Sequence, residues 1–122
     1  MGKKILILDD DQEVHKLLAA YLADMENELF FAENGEEGFA IYHEQKPDLI
    51  VTDTNMPVMD GVQFLRKVRE LDKEVGIIIF FSYYGKNKLI NISDLIKLGA
   101  SVVMPKDQTI FRLKQEIEAL LK

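Results

Sequence analysis

Acidic side chains follow two apolar segments that lie far apart in the chain, and these acids are the residues best suited to chemistry. Asp53 comes directly after the short run 48–52, and Asp9 and Asp10 come directly after the run 5–8. If the fold brings these carboxylates together, each close pair of like charges costs about 4 kcal/mol at an effective dielectric constant of about 20. Either one acid takes up a proton or a cation binds between them. An all-oxygen site of modest size suits Mg²⁺, which keeps some of its waters.

Ser82 and Lys106 also come at the ends of apolar runs, at residues 75–81 and 102–104. A hydroxyl donor and an ammonium group, together with a metal ion, could hold the three equatorial oxygens of a transferring phosphoryl group. Asp53, which is expected to be exposed at the tip of its loop, would then be the best-placed nucleophile for forming an aspartyl-phosphate. The combination therefore indicates phosphoryl chemistry on a carboxylate.

Each of these residues also has an ordinary structural interpretation. Asp10 and Glu13 could simply form a capping box at the start of a helix, and from the local sequence that alternative is equally good. Asp11 is expected to be a helix cap or a solvated acid rather than a ligand, and His15 and His43 are expected at the surface. The serine alone would be a strand-end hydroxyl and the lysine alone a solvated loop residue. Only the combined pattern favours a functional site.

Five apolar runs alternate with helical patterns, and this alternation predicts the elements that must position the acids. The strands are predicted at residues 5–8, 29–32, 48–53, 75–81 and 102–104. Strict alternation predicts an α/β fold with a parallel sheet and right-handed crossovers. We expect a doubly wound, flavodoxin-like, five-stranded sheet in the order 2-1-3-4-5, with helices on both faces. In that order Asp9, Asp10 and Asp53 converge at one sheet edge, which Ser82 and Lys106 also reach.

Apolar spacing and capping residues place the helices. The first helix is predicted to bury the stripe formed by Val14, Leu17, Leu18, Tyr21, Leu22 and Met25, and the third helix the stripe formed by Phe64, Leu65, Val68 and Leu71. Asn34 and Asp60 are predicted to cap the second and third helices. A fourth helix is predicted within residues 88–98, ending at Gly99. Thr109 is predicted to cap the last helix.

Length and composition restrict the class of protein. The chain has 122 residues, which suits one compact domain, and it contains no Cys, which excludes disulfides and thiolate metal sites. The net charge of −6 disfavours direct nucleic-acid binding, which depends on basic patches. The first apolar run is only four residues long and ends in acids, so secretion and membrane insertion are disfavoured and a cytoplasmic location is expected.

The complete pattern resembles the receiver domains of two-component response regulators, and in length it is similar to the stand-alone chemotaxis type. The resemblance covers essentially the whole chain, so residues 1–122 are expected to form a single receiver domain. The residues that carry it are Leu8-Asp9-Asp10, Asp53 with the segment Met56-Pro57-Val58-Met59-Asp60-Gly61, Ser82, Gly99-Ala100 and Lys106. The stretch around Asp53 is the specific signal, and the other residues gain weight from their spacing.

The resemblance implies a signalling module rather than an enzyme. It implies that Asp53 accepts a phosphoryl group from the phosphohistidine of a histidine kinase or phosphotransfer protein, while Ser82 and Lys106 bind the phosphoryl oxygens. The implied ligands of Mg²⁺ are Asp10, Asp53 and the backbone carbonyl of Asn55, with Asp9 acting through water. A downstream protein is expected to dock on the fourth helix, fifth strand and fifth helix. Leu89, Ile90 and Ile92 in this region would suit docking as an apolar patch, and they could equally belong to the core.

Three positions depart from the family pattern. Tyr83 stands where receivers usually have a small residue, and Val103 stands where they usually have a switching aromatic. Asp107 follows Lys106 where the family usually has proline, so a trans peptide is expected there, because a cis bond without proline costs about 2.5–4 kcal/mol. These departures support an alternative function, a receiver-like interaction domain with impaired phosphorylation.

Two other classes of protein are disfavoured. An aspartyl-phosphatase is disfavoured because that family needs a second Asp where this chain has Asn55. A flavin module is disfavoured because no phosphate loop follows the first strand.

Overall fold

A computed structural model of the chain describes residues 2–81, 91–106 and 110–122. Within these residues the strands are β1 Lys4–Leu8, β2 Glu28–Ala32, β3 Leu49–Thr52, β4 Gly76–Phe81 and β5 Val102–Pro105. The helices are α1 Gln12–Leu22, α2 Gly35–Gln45, α3 Gly61–Leu71, α4 Ile92–Lys97 and α5 Ile110–Leu120, with a short 3-10 helix at Ala23–Met25. The predictions for Ser82, Tyr83, Leu89, Ile90, Asp107 and Thr109, and for the peptide bond after Lys106, lie outside the described residues.

The strands form one parallel sheet in the order β2-β1-β3-β4-β5. Successive strand residues point to opposite faces, so Leu6 and Leu8 join one core while Ile5 and Ile7 join the other. Helices α2, α3 and α4 cover the first core, and α1 and α5 cover the second. Burial on both faces explains why the central strands are continuously apolar. The predicted doubly wound fold and its strand order are therefore confirmed.

Side-chain caps begin the helices where the sequence predicts them. The Asn34 side chain accepts a hydrogen bond from the Glu37 N–H, and Asp60 with Gln63 forms a complete capping box. Helix α4 ends at Lys97, and Gly99 follows with φ +115°, a backbone conformation that side chains rarely adopt. Because both caps flank the strand-to-helix loops, they also fix where those loops lie.

The predicted helical stripes are wrong at three positions. Leu17 and Tyr21 on α1 are 45% and 44% exposed, and Leu71 at the end of α3 is 61% exposed. Helix α1 buries Leu18 and Leu22 as predicted, with Val14 and Met25 partly buried against the same core, and it also buries His15. The packing partners of the helix, and not its hydrophobic pattern alone, determine which side faces the sheet. The prediction that His15 lies at the surface is therefore also wrong.

Val58 has a backbone conformation that is unfavourable for a β-branched residue. Its φ is +69° and its side chain is 74% exposed, so packing does not compensate for the strain. A non-glycine residue in this region costs roughly 1–2 kcal/mol. Glycine would remove this strain, but it loses more conformational entropy on folding, which offsets part of the stabilisation. We expect Val58→Gly to raise the free energy of unfolding by about 0.5–1 kcal/mol, measured by urea denaturation.

Val58→Ala is the matched control, because alanine shortens the side chain but retains the Cβ atom responsible for the strain. We expect it to gain clearly less stability than Val58→Gly. Equal stability of the two variants would contradict the attribution to backbone strain.

Candidate functional site

Backbone hydrogen bonds hold three charged residues at the carboxyl edge of the sheet. The Asp9 N–H donates to the Ala32 carbonyl at 3.0 Å, and the Asp53 N–H donates to the Leu8 carbonyl at 2.9 Å. The Lys106 N–H donates to the Phe81 carbonyl at 2.6 Å. Parallel hydrogen bonding therefore continues one residue beyond β1, β3 and β5. These residues lie at the edge where open α/β sheets bind ligands.

The side chain of Lys106 lies between two buried carboxylates. Its Nζ atom is 2.6 Å from Asp9 Oδ2 and 3.0 Å from Asp53 Oδ2. The lysine side chain is 22% exposed, whereas the side chains of Asp9 and Asp53 are 3% and 5% exposed. The expectation that Asp53 is exposed at the tip of its loop is therefore wrong. The other oxygen of Asp53, Oδ1, accepts the Thr54 N–H at 2.7 Å, which fixes the orientation of the carboxylate.

Asp10 completes a group of three acids. Asp9, Asp10 and Asp53 each offer a carboxylate oxygen, and these oxygens all lie within 4.8 Å of one another. Asp10 is exposed, unlike the other two. The N-cap of α1 is Asp11, whose side chain accepts the Glu13 N–H at 2.9 Å, as its predicted role as a cap requires. The alternative in which Asp10 caps this helix is therefore wrong, and the Asp10 carboxylate faces the other two acids.

Burial changes the protonation equilibria of the two central residues. Burial raises the pKa of Asp53, and the negative charge of Asp9 adds to this effect. The charge of Lys106 and the Thr54 N–H lower the pKa of Asp53 but only partly offset the increase. Burial alone would lower the pKa of Lys106. The hydrogen bonds to Asp9 and Asp53 and the negative charges of these residues outweigh the effect of burial, so the pKa of Lys106 is raised. The Lys106 ammonium is therefore held in its charged form. A second cation close to Asp53 would favour the ionised form of that carboxylate.

The loop after Asp53 packs closely against the start of α3. The Gly61 N–H donates to the Thr54 carbonyl at 3.1 Å. A Cβ atom at position 61 would lie 1.9 Å from the Asp53 carbonyl oxygen, so only glycine allows this approach. Asn55, whose carbonyl is an expected Mg²⁺ ligand, is half-buried in this loop. The close packing holds the backbone of the loop beside the acids.

His15 is a neighbour of the site that the sequence interpretation missed. Its Nε2 atom lies 2.6 Å from the carbonyl oxygen of Asp9, and the residue is buried. The signal was present in the spacing, because His15 precedes Leu18 and Leu22 by three and seven residues. Those intervals place it on the buried face of the helix.

The three acids fit a hard divalent cation. Carboxylate oxygens are the donors that Mg²⁺ prefers, and Asp10 on the exposed side leaves room for waters. With Lys106 counted, the four charged groups still carry a net negative charge, so a second cation remains favourable. Asp9, Asp10 and Asp53 are therefore the described residues that would hold the ion.

Comparison with known proteins assigns the family. The family model described as the response regulator receiver domain matches residues 5–118. This chain is a member of that family. Among curated relatives it is 31% identical to the chemotaxis protein CheY of Halobacterium salinarum, over 87% of this chain and 86% of that protein. It is 29% identical to sporulation initiation phosphotransferase F of Bacillus subtilis, over 99% of this chain and 95% of that protein.

Solved receiver structures share the fold. A response regulator receiver domain protein from Clostridium thermocellum superposes with a TM-score of 0.86 at 26% identity, covering 98% of this chain and 94% of that one. The chain is thus a signalling module of two-component systems, with the flavodoxin-like receiver fold. Among the residues that the structure describes, no helix is long and apolar enough to cross a bilayer.

Proposed function

We propose that this receiver domain accepts a phosphoryl group on Asp53 in the presence of Mg²⁺ and thereby changes its interactions with other proteins. The donor would be the phosphohistidine of a histidine kinase or of a phosphotransfer protein. The observation that carries the proposal is that Asp53 contacts Lys106 and lies beside the acids Asp9 and Asp10. A cluster of acids is common on protein surfaces and alone would not support the proposal. Membership of the receiver family supports a phosphoryl-transfer role for this cluster.

The side chains have separate roles in the proposed transfer. An oxygen of Asp53 forms a bond to phosphorus while the bond from phosphorus to the donor nitrogen breaks, and that nitrogen keeps the electron pair and takes up a proton. Lys106 stabilises negative charge on the phosphoryl oxygens. Mg²⁺ held by Asp10, Asp53 and the Asn55 carbonyl, with Asp9 acting through water, would supply further charge neutralisation. Ser82 is proposed as a hydroxyl donor to the same oxygens.

Labelling of the wild-type protein with a small phosphoryl donor tests the proposal. We expect acetyl phosphate or phosphoramidate to add one phosphoryl group when Mg²⁺ is present and none when it is removed by a chelator. Borohydride reduction, which converts an aspartyl-phosphate to homoserine, should then map the modification to Asp53 by mass spectrometry. The absence of any mass gain with both donors would support the alternative, an interaction domain with impaired phosphorylation, which Val103 on β5 favours.

Metal binding should stabilise the fold through Asp10. A cation that binds only the native state adds RT ln(1 + [Mg²⁺]/Kd) to stability, which is about 2.7 kcal/mol at a concentration of about 100 times Kd. We expect Mg²⁺ to raise the midpoint of thermal unfolding of the wild type, and Asp10→Asn to lose most of this increase. Asp11→Asn is the matched control, because asparagine also caps helices. An equal response of Asp10→Asn and the wild type would contradict a ligand role for Asp10.

Exposed apolar residues support the proposed docking face. Ile92 and Ile96 on α4 are 43% and 46% exposed, and Phe111 on α5 is 60% exposed. We propose that a downstream protein binds the face formed by α4, β5 and α5.

We further propose that residues 1–122 act as a single receiver domain and that the protein works in the cytoplasm. We also propose that it does not bind nucleic acid directly. The net charge of −6 supports this absence of nucleic-acid binding, which depends on basic surfaces.

A further inference from the structure

His15 makes a buried polar contact that helix packing alone does not require. The imidazole packs against the Phe31 ring of β2, with ring centroids 4.9 Å apart and planes inclined by 36°. Its Nε2 atom lies 2.6 Å from the carbonyl oxygen of Asp9. A carbonyl oxygen only accepts hydrogen bonds, so Nε2 carries the hydrogen and donates it. A hydrophobic residue of similar size would fill the same space without this bond.

The carbonyl that His15 contacts belongs to the peptide unit joining Asp9 to Asp10. Three other contacts hold Asp9: its N–H donates to the Ala32 carbonyl, its Oδ1 accepts the Asp11 N–H at 2.9 Å, and its Oδ2 contacts Lys106. Those contacts fix the amide nitrogen and the side chain of Asp9. The bond from His15 acts directly on the peptide plane that leads to Asp10.

Like charges make this restraint necessary. Asp9, Asp10 and Asp53 bring carboxylate oxygens within 4.8 Å of one another, and their mutual repulsion favours separation. Rotation of the Asp9–Asp10 peptide would move the exposed Asp10 carboxylate away from the buried pair. A buried donor on the Asp9 carbonyl opposes that rotation, since breaking the bond would leave a buried polar group without a partner.

We propose that His15 is a positioning residue, which holds the peptide between Asp9 and Asp10 so that both acids face the Mg²⁺ site before the ion arrives. The inference rests on the metal role given to these acids under the proposed function. It assigns His15 no contact with the ion or with the phosphoryl group. The expected consequence of losing the donor is weaker Mg²⁺ binding, as is usual when a group that orients a ligand is removed.

Three variants test the inference through Mg²⁺ affinity, measured from amide chemical shifts of residues 9–11 during Mg²⁺ titration. We expect His15→Leu, which fills space without a donor, to raise the Mg²⁺ dissociation constant about tenfold or more. His15→Gln, which can again present a donor, should recover most of the affinity. Leu18→Val, a buried change on the same helix, should lower stability and leave the dissociation constant within about twofold of the wild type. Unchanged affinity in His15→Leu, or an equal loss in Leu18→Val, would overturn the inference.

A measurement on the wild-type protein keeps the inference testable if His15→Leu fails to fold. The imidazole ¹⁵N spectrum should show a hydrogen bound to Nε2, and this Hε2 proton should exchange slowly with solvent. A ring without that hydrogen would overturn the inference. Phosphoryl labelling of the wild type separates the two proposals. A protein that binds Mg²⁺ through a His15-dependent site but takes up no phosphoryl group would refute the proposed function and leave the role of His15 intact.

Discussion

Replacing Asp53 with asparagine should abolish phosphoryl incorporation from every donor. The asparagine side chain would keep nearly the same shape and could still accept the Thr54 N–H, but an amide oxygen is not a nucleophile toward phosphorus. We expect no mass gain from phosphoramidate in the presence of Mg²⁺ under conditions in which the wild type gains one phosphoryl group. The measurement is the intact mass after labelling, taken at several times.

The control for this result is Asp11→Asn, which makes the same chemical change two residues after Asp9. Asp11 caps α1, and asparagine serves equally well at that position. The control should therefore label at close to the wild-type rate. A residual phosphoryl group on Asp53→Asn would mean that another carboxylate, most directly Asp10 or Asp9, can accept it. That outcome would contradict the assignment of Asp53 as the sole acceptor.

Replacing Lys106 with methionine should destabilise the protein strongly in the absence of Mg²⁺. Methionine is close to lysine in length but carries no charge, so Asp9 and Asp53 would be left buried and facing each other without a cation. Breaking a buried ion pair by removing one partner costs about 3–5 kcal/mol, and because Lys106 is partly exposed we expect a loss of about 3 kcal/mol. Urea denaturation in a metal-free buffer measures this loss.

Lys114→Met is a closely matched control for the loss of charge. The Lys114 side chain is 19% exposed, similar to Lys106, but its partner Asp24 is 74% exposed. An ion pair with one partner in water contributes little to stability, so Lys114→Met should lose much less stability than Lys106→Met. A comparable loss of stability in both lysine variants would contradict the view that the buried carboxylates make Lys106 important.

Mg²⁺ and pH should both modify the effect of Lys106→Met. In the wild type the ammonium contacts Asp9 Oδ2 and Asp53 Oδ2, which Mg²⁺ would also attract, so Mg²⁺ should stabilise the variant more than the wild type. The raised pKa of Lys106 means that its stabilisation is fully present below its ordinary pKa of 10.5 and is lost as pH rises through the higher native value. On the alkaline side, the difference in stability between the wild type and the variant should therefore shrink above about pH 10.5. Equal stabilisation of both proteins by Mg²⁺ would show that the ammonium and the metal do not share these oxygens.

The sequence alone determined the fold and the edge of the sheet at which the charged residues lie. Apolar runs alternating with helical patterns are local features, and rules of chain connection limit the ways in which such units can pack. Once β1 and β3 are neighbours, Asp9 and Asp53 must end adjacent strands. Caps such as Asp60 were equally visible, because a capping box involves residues only three positions apart.

The way in which the side chains use that arrangement depends on contacts between residues that are distant in the chain. Lys106 contacts Asp9, which lies 97 positions earlier in the chain, and Asp53, which lies 53 positions earlier. The burial of Asp53 likewise depends on the elements that surround it. The role of His15 depends on which side of α1 packs against the sheet, and hydrophobicity along one helix does not specify that side residue by residue. Local spacing places residues on elements, whereas side-chain contacts, burial and pKa depend on neighbours that are distant in the chain.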